Sequence, residues 1–248
     1  MAECSRMYLD RACPEVSGSI LTERDLGGGI LDQTRELQRY HRQHDPARVL
    51  ALSDGVFAIV ITLLVLEIHV PDLAGGQSLR DALREVRPSL TGFLISFLVT
   101  AIAWAGHRDL FALLRRTDRS LVWLNFVYLL PLSLLPFGAA LISRYERESV
   151  ALTLYGVLLL LIALTRLAVW LYATSRPHLL YEPIDRRAKT VGVLIVAIPA
   201  ALYLLAIGLA DPAPDASLAI YVAAPVLYFV GVFVSRSTAP PDEGDEFT

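Results

Sequence analysis

Asp54 and Glu67 are carboxylates set in an almost unbroken apolar run, Leu50 to Val70. A charged side chain at the centre of a bilayer costs at least about 2.5–3.5 kcal/mol, so an acid at such a place needs a partner or water. Asp54 falls about one helical turn into the run and Glu67 close to its far end. Candidate partners for Asp54 follow from depth alone. Trp104 and His107 close a second apolar run, and Asn125 lies about one turn into a third. Together with Ser53 they form one polar layer, in which an indole donor, an imidazole and an amide can satisfy a carboxylate. Arg48 stands six positions before Asp54, on a different helix face, and is expected to meet another helix or a lipid phosphate. Asp54 is open to two readings, a lock on helix packing or a direct contact with ions or protons. His107 fits a satisfied interfacial histidine, and Glu67 a solvated helix end. Further along the same run Ile59, Leu63 and Leu66 are spaced i, i+4, i+7 and share one helix face.

The elements that must carry these residues are legible from composition. Of 248 residues 54% are hydrophobic and only 19% charged, and mean hydropathy is +0.50. The apolar residues collect in blocks instead of alternating with polar ones. A span needs about 20 such residues to cross about 30 Å of hydrocarbon. Six stretches qualify: Leu50 to Val70, Ser89 to Gly106, Leu121 to Ile142, Val150 to Ser175, Thr190 to Ala210 and Ala216 to Ser235. Only helices satisfy their own backbone in lipid at this length, which predicts an all-α, polytopic membrane protein with six transmembrane helices. Placing the N-terminus inside puts fifteen Arg and Lys in cytoplasmic segments and five in outer loops. The six that precede Ala47 lie far from a span and count for less, yet nine against five still favours both termini in the cytoplasm. Trp104, Trp123 and Trp170 then fall near the inner interface, and Arg166 can snorkel toward it.

Residues 1–45 form a polar leader containing Gly27-Gly28-Gly29, residues 46–236 the membrane domain, and residues 237–248 an acidic tail expected to be disordered. The leader has no apolar core of the length a signal peptide needs. A net charge of −3 with long apolar blocks excludes a nucleic-acid binder and a typical soluble enzyme. Cys4 and Cys13 both lie in the leader and support neither a disulfide framework nor a metal cluster. His41, His44, His69, His107 and His178 are scattered. The one i, i+3 pair, His41 with His44, sits in the polar leader, so no metal, cofactor or enzymatic centre is expected.

The run from Arg48 through Leu52-Ser53-Asp54-Gly55-Val56-Phe57-Ala58-Ile59, followed by Thr62-Leu63-Leu64-Val65-Leu66-Glu67-Ile68, resembles the transmembrane protein 175 family of endolysosomal potassium channels and its bacterial relatives. That family carries an Arg-x-x-x-Phe-Ser-Asp signature. The likeness continues through Ser96-Phe97-Leu98-Val99, Trp104, His107 and Leu110-Phe111. It resumes in Leu121-Val122-Trp123-Leu124-Asn125 and Ser133-Leu134-Leu135-Pro136-Phe137, and covers roughly residues 46 to 235. Leu52 replaces the signature Phe, and Gly106-His107-Arg108 replaces an Asn-His-His-like sequence.

The resemblance implies a potassium-preferring cation channel of the bacterial plasma membrane, assembled as a homotetramer because one six-helix repeat is present. It implies a pore lined by first helices, with Ile59, Leu63 and Leu66 at the constriction and Thr62 at a position contributing to potassium preference. Thr62 read alone fits a helix-helix hydrogen bond better than a selectivity role. Such apolar rings gate by dewetting, and partial dehydration favours potassium modestly. Glu67 and Asp72 would gather cations at the outer mouth. The alternative is a proton-coupled secondary transporter in which Asp54 and His107 relay protons. Pro131, Pro136 and Pro199 could break helices for it, but no matching pair of interrupted segments appears.

Overall fold

Asp45 and Pro46 set where the first helix begins: the aspartate side chain accepts the Ala47 N–H at 2.9 Å, and proline occupies a first-turn position whose N–H would have no helical partner. The computed structural model describes residues 45–71 and 78–237, with the backbone alone for 229–237. The leader 1–44, Asp72 and the tail from 238 lie outside the described residues, so the expectations placed on them have no structural counterpart here.

Helix α1 spans Pro46–Leu66, α2 Leu79–Glu85, α3 Arg87–Ala112, α4 Arg119–Ser133, α5 Leu135–Arg144, α6 Ser149–Thr174, α7 Arg186–Leu209 and α8 Pro214–Ser237. Among the described residues no β-strand forms beyond an isolated bridge, Leu114 to Leu180. Five helical rods are long and apolar enough to cross a membrane, counting α4 and α5 as the single rod Arg119–Arg144. The sixth apolar stretch forms α8, 24 residues long.

Three departures from the sequence expectation have local causes. The third apolar stretch was expected as one rod and is interrupted at Leu134. Pro131 and Pro136 flank that point, and each removes a backbone donor from the helical ladder. Helix α3, expected to close at His107, runs on to Ala112 and carries Arg108 and Asp109 on helix instead of loop. Helix α2 was not expected. Ser78 starts it by accepting the Asp81 N–H at 3.3 Å while donating its hydroxyl to the Asp81 carboxylate at 2.6 Å.

The core forms where large side chains of successive rods meet. Phe57, Val60 and Leu64 are the buried large side chains of α1, which packs against α3, α4 and α5; Phe57 and Val60 join a core with Leu121, Tyr128, Leu132, Leu152, Tyr155 and Leu159. Polar groups inside this core are paired across helices. Ser96 and Tyr155 share a hydrogen bond at 2.9 Å, Tyr221 donates to the Leu152 carbonyl at 3.0 Å, and Ser217 donates to the Ala206 carbonyl at 2.8 Å. A Cβ at Gly156 would collide with the Tyr221 hydroxyl, so glycine there lets α6 and α8 approach closely.

At the end of the bundle where α1 begins, two loops are clasped together. The Arg115 N–H donates to the Leu179 carbonyl at 2.8 Å, the Tyr181 N–H to Leu113 at 3.1 Å, and the Arg116 side chain to His178 at 3.0 Å. Asp118 caps α4 by accepting the Leu121 N–H at 2.7 Å and also receives the Tyr172 hydroxyl at 2.8 Å.

Candidate functional site: the first helix and its polar layer

Consecutive residues on a helix point about 100° apart, so Ser53 and Asp54 address different neighbours. Ser53 is fully buried. Its hydroxyl donates to the Val49 carbonyl at 2.9 Å, and its oxygen accepts Asn125 Nδ2 from α4 at 2.9 Å. Asp54 is half-buried and accepts the Trp104 indole N–H from α3 at 2.9 Å. These bonds tie α1 to α3 and to α4 at one level and restrain its rotation. Asn125 Oδ1 is buried without a partner.

His107 is buried and stands in an aromatic cage, with ring centroids 4.4 Å from Phe111, 5.5 Å from Tyr128 and 5.7 Å from Phe57. Among the described residues no hydrogen bond links it to Asp54, so the structure offers no direct relay between the two groups named for proton transfer. Arg48 is exposed. The layer therefore brings Ser53, Asp54, Trp104 and Asn125 into hydrogen bonds, takes in His107 through ring contacts, and leaves Arg48 outside.

The opposite side of α1 is bare. Ile59 is 59% exposed, Leu63 42% and Leu66 66%, with Leu52, Gly55, Ala58 and Thr62 exposed beside them. At about 100° per residue the stripe of Leu52, Gly55, Ile59, Leu63 and Leu66 occupies an arc of about 80°. Ser53, Phe57, Val60 and Leu64 cluster on an arc centred roughly 140° away. Thr62 sits on the edge of the bare stripe. Its hydroxyl is shared between the Ala58 and Ile59 carbonyls at 3.0 and 2.9 Å. With its hydrogen directed into its own helix, the oxygen lone pairs remain to meet a cation or a donor. At the far end Glu67 caps α1, half-buried, and His69 Nδ1 lies 3.1 Å from the Glu67 carbonyl. Asp72, named for the outer mouth, lies outside the described residues. Among the described residues no group of three His, Cys, Asp or Glu side chains is placed to hold a metal ion.

Sequence reasoning missed the surroundings of Arg166. Its guanidinium packs against Gly106, where a Cβ would collide with it. A glycine beside a helix-borne histidine was the available signal of a close approach. The clasp of the two loops had no signal, because its acceptors are all backbone carbonyls and two of its three donors are backbone N–H groups, in segments far apart in sequence.

Several apolar rods with exposed apolar faces, joined by a partly buried polar layer, define a multi-pass α-helical membrane protein. Residues 48–136 match the family described as endosomal/lysosomal potassium channel TMEM175. A potassium channel of Streptomyces collinus is 36% identical over 171 residues, covering 67% of this chain and 83% of that one. A potassium channel of Chamaesiphon minutus is 34% identical over 172 residues, covering 67% and 85%. The crystal structure of a lysosomal potassium-selective channel TMEM175 homolog, also from Chamaesiphon minutus, superposes with a TM-score of 0.67 at 30% identity, covering 79% of this chain and 99% of that one. The chain belongs to the TMEM175 family of ion channels.

Proposed function

We propose that the chain is a potassium-preferring cation channel, a homotetramer of a bacterial plasma membrane in which four copies of α1 surround the ion path. The observation that carries this reading is the bare face of α1. A helix pinned on one side by Ser53–Asn125 and Asp54–Trp104 presents on the other an aliphatic stripe that stays exposed among the described residues. Relatives that cover two-thirds of this chain are named potassium channels.

Four copies of Ile59, Leu63 and Leu66 would stack three apolar collars. A narrow apolar ring expels water unless it widens, so the collars act as the gate and as a dehydration step. Thr62 would offer oxygen lone pairs between collars. Glu67, with Asp72 beyond it, would raise the cation concentration at the mouth. In this reading α8 is the sixth span. Its 24 residues reach about 36 Å at 1.5 Å per residue, more than the roughly 30 Å of hydrocarbon. Both termini then face the cytoplasm, as the distribution of Arg and Lys favours.

A neighbouring subunit would have a seat beside the bare face. An apolar groove of about 440 Å³ opens between α1 and α4, lined by Leu52, Val56, Trp123, Phe126, Val127 and Leu130 among others.

Liposomes containing the purified protein and a potassium gradient test the reading. Potassium flux is expected, and Ile59→Asn, which wets one collar, should raise basal flux about tenfold or more and weaken discrimination against sodium. Absence of flux across a range of voltages and pH overturns the channel, and an Ile59→Asn variant identical to the parent overturns the collar.

A further inference from the structure

A second opening lies away from α1. A cavity of about 320 Å³ opens between α3, α4, α6, α7 and α8, at the end of the bundle where α1 begins, and no α1 residue lines it. Its polar lining is built from His107, Arg166 and Trp170. His107 is only 3% exposed, and its Nε2 is buried with no hydrogen-bond partner. Trp170 Nε1 is likewise buried and unpartnered. Among the described residues no ion pair engages Arg166.

Two glycines shape the cavity. A Cβ at Gly106 would strike the Arg166 guanidinium, and one at Gly192 would strike the Trp170 ring. Absence of a side chain at both places lets the cationic and indole groups press against neighbouring backbone. Asp109 is the one carboxylate of the lining, and its Oδ1 is already held by Arg108 through Nε at 3.3 Å and Nη2 at 3.0 Å. An indole N–H and a guanidinium only donate, and a histidine nitrogen can donate. Two buried nitrogens without partners beside an unpaired cation call for an acceptor that carries negative charge. Water could accept from either nitrogen but would leave the guanidinium unneutralised.

Apart from the phenols of Tyr128 and Tyr228, the remaining lining is apolar: Leu110, Leu113, Val169, Ile195 and Val196. Arg166, Ile195, Val196 and Tyr228 also line an adjoining cavity of about 60 Å³, walled further along by Val99, Ile162, Pro199 and Ala224. A polar end leading into an apolar one matches an oxyanion carried on an acyl chain. Trp170 and Arg166 precede the end of α6 at Thr174 by four and eight residues, about 6 and 12 Å along the axis. A lipid headgroup drawn slightly into the bilayer reaches that depth.

We propose that this cavity binds the phosphate of an anionic phospholipid, held by Arg166, Trp170 and His107, with acyl chain laid along Ile195 and Val196. The assignment concerns binding and does not depend on the ion path. Delipidated protein in detergent, titrated with phosphatidylglycerol, phosphatidylcholine or inorganic phosphate and read by native mass spectrometry and thermal shift, tests it. Phosphatidylglycerol should bind at least tenfold more tightly than phosphatidylcholine, and a photoreactive phosphatidylglycerol should label Ile195 or Val196. Arg166→Gln should remove most of that preference. Trp170→Phe, which keeps the ring and loses the donor, should reduce it severalfold, and it serves if the arginine variant does not fold. Equal binding of the two lipids, a preference that survives both substitutions, or labelling confined to other helices overturns the proposal. Protection by inorganic phosphate equal to that by phosphatidylglycerol overturns the lipid as the source and leaves a free-anion site.

Discussion

Ser53 and Asp54 are adjacent in the chain, yet the cost of losing each differs with burial. Ser53→Ala strips Asn125 Nδ2 of its acceptor in a site where both residues are fully buried. An orphaned buried donor costs about 1–3 kcal/mol, whereas removing both partners with apolar groups of similar shape is close to neutral. Ser53→Ala should therefore lower the midpoint of thermal unfolding in detergent by several degrees, and Ser53→Ala with Asn125→Leu should recover much of the loss. Failure of the double variant to recover would place the stability elsewhere. Trp104→Phe should cost less, about 1 kcal/mol or under, because Trp104 is 37% exposed and Asp54 half-buried, so water can replace the indole. Thr62 calls for a different measurement. Its hydroxyl hydrogen is spent on carbonyls of its own helix, a bond worth little to stability on an exposed face. Thr62→Val keeps the shape and removes the oxygen. It should leave unfolding within about 0.5 kcal/mol of the parent and move the reversal potential toward sodium under bi-ionic conditions. An unchanged reversal potential would return Thr62 to a packing role.

The same contrast between composition and contact runs through the helices. The first, second, fourth and fifth apolar stretches became rods within a few residues of the expected bounds, because burial in lipid is decided by run length and charge alone. Pro131 and Pro136 marked where the third stretch could break, and the break falls between them at Leu134. The extension of α3 through Ala112 was not legible, because the charged pair Arg108-Asp109 reads as a loop by composition alone. Within the site, depth correctly grouped Trp104 with Asp54. The Asn125 amide went to Ser53, since which face of α4 turns toward α1 is fixed by packing around Tyr128 and Leu121 and leaves no trace in spacing. Helix α8 carries the remaining topological claim. With six spans, cysteines introduced at Arg80, which is exposed, and at Ser237 should lie on opposite sides of the membrane, so an impermeant maleimide added to intact cells should label the first and spare the second. Labelling of both would remove α8 as a span.

Assembly decides what the bare stripe of α1 is for. A single chain in lipid could turn Ile59, Leu63 and Leu66 toward acyl tails at no cost, since lipid is as apolar as leucine and supplies no hydrophobic drive to bury them. Association must then come from shape. The groove of about 440 Å³ between α1 and α4 is the place where a neighbour's side chains would interdigitate. Filling it separates the two cases. Val127 is 51% exposed on the groove, and Val127→Trp keeps the surface apolar, so a chain surrounded only by lipid should tolerate it with unfolding unchanged. A tetramer seated on that groove would meet an overpacked contact costing about 1–3 kcal/mol in each subunit, multiplied by symmetry. The parent should therefore register by native mass spectrometry as four 27.3-kDa chains, and Val127→Trp should shift toward smaller species while its monomer stays folded. Potassium flux should fall in parallel with the tetramer fraction if, as proposed, four stripes enclose the path. Flux that persists in a dissociated variant would mean that ions cross within one chain, and the α1 stripe would then be an ordinary lipid face.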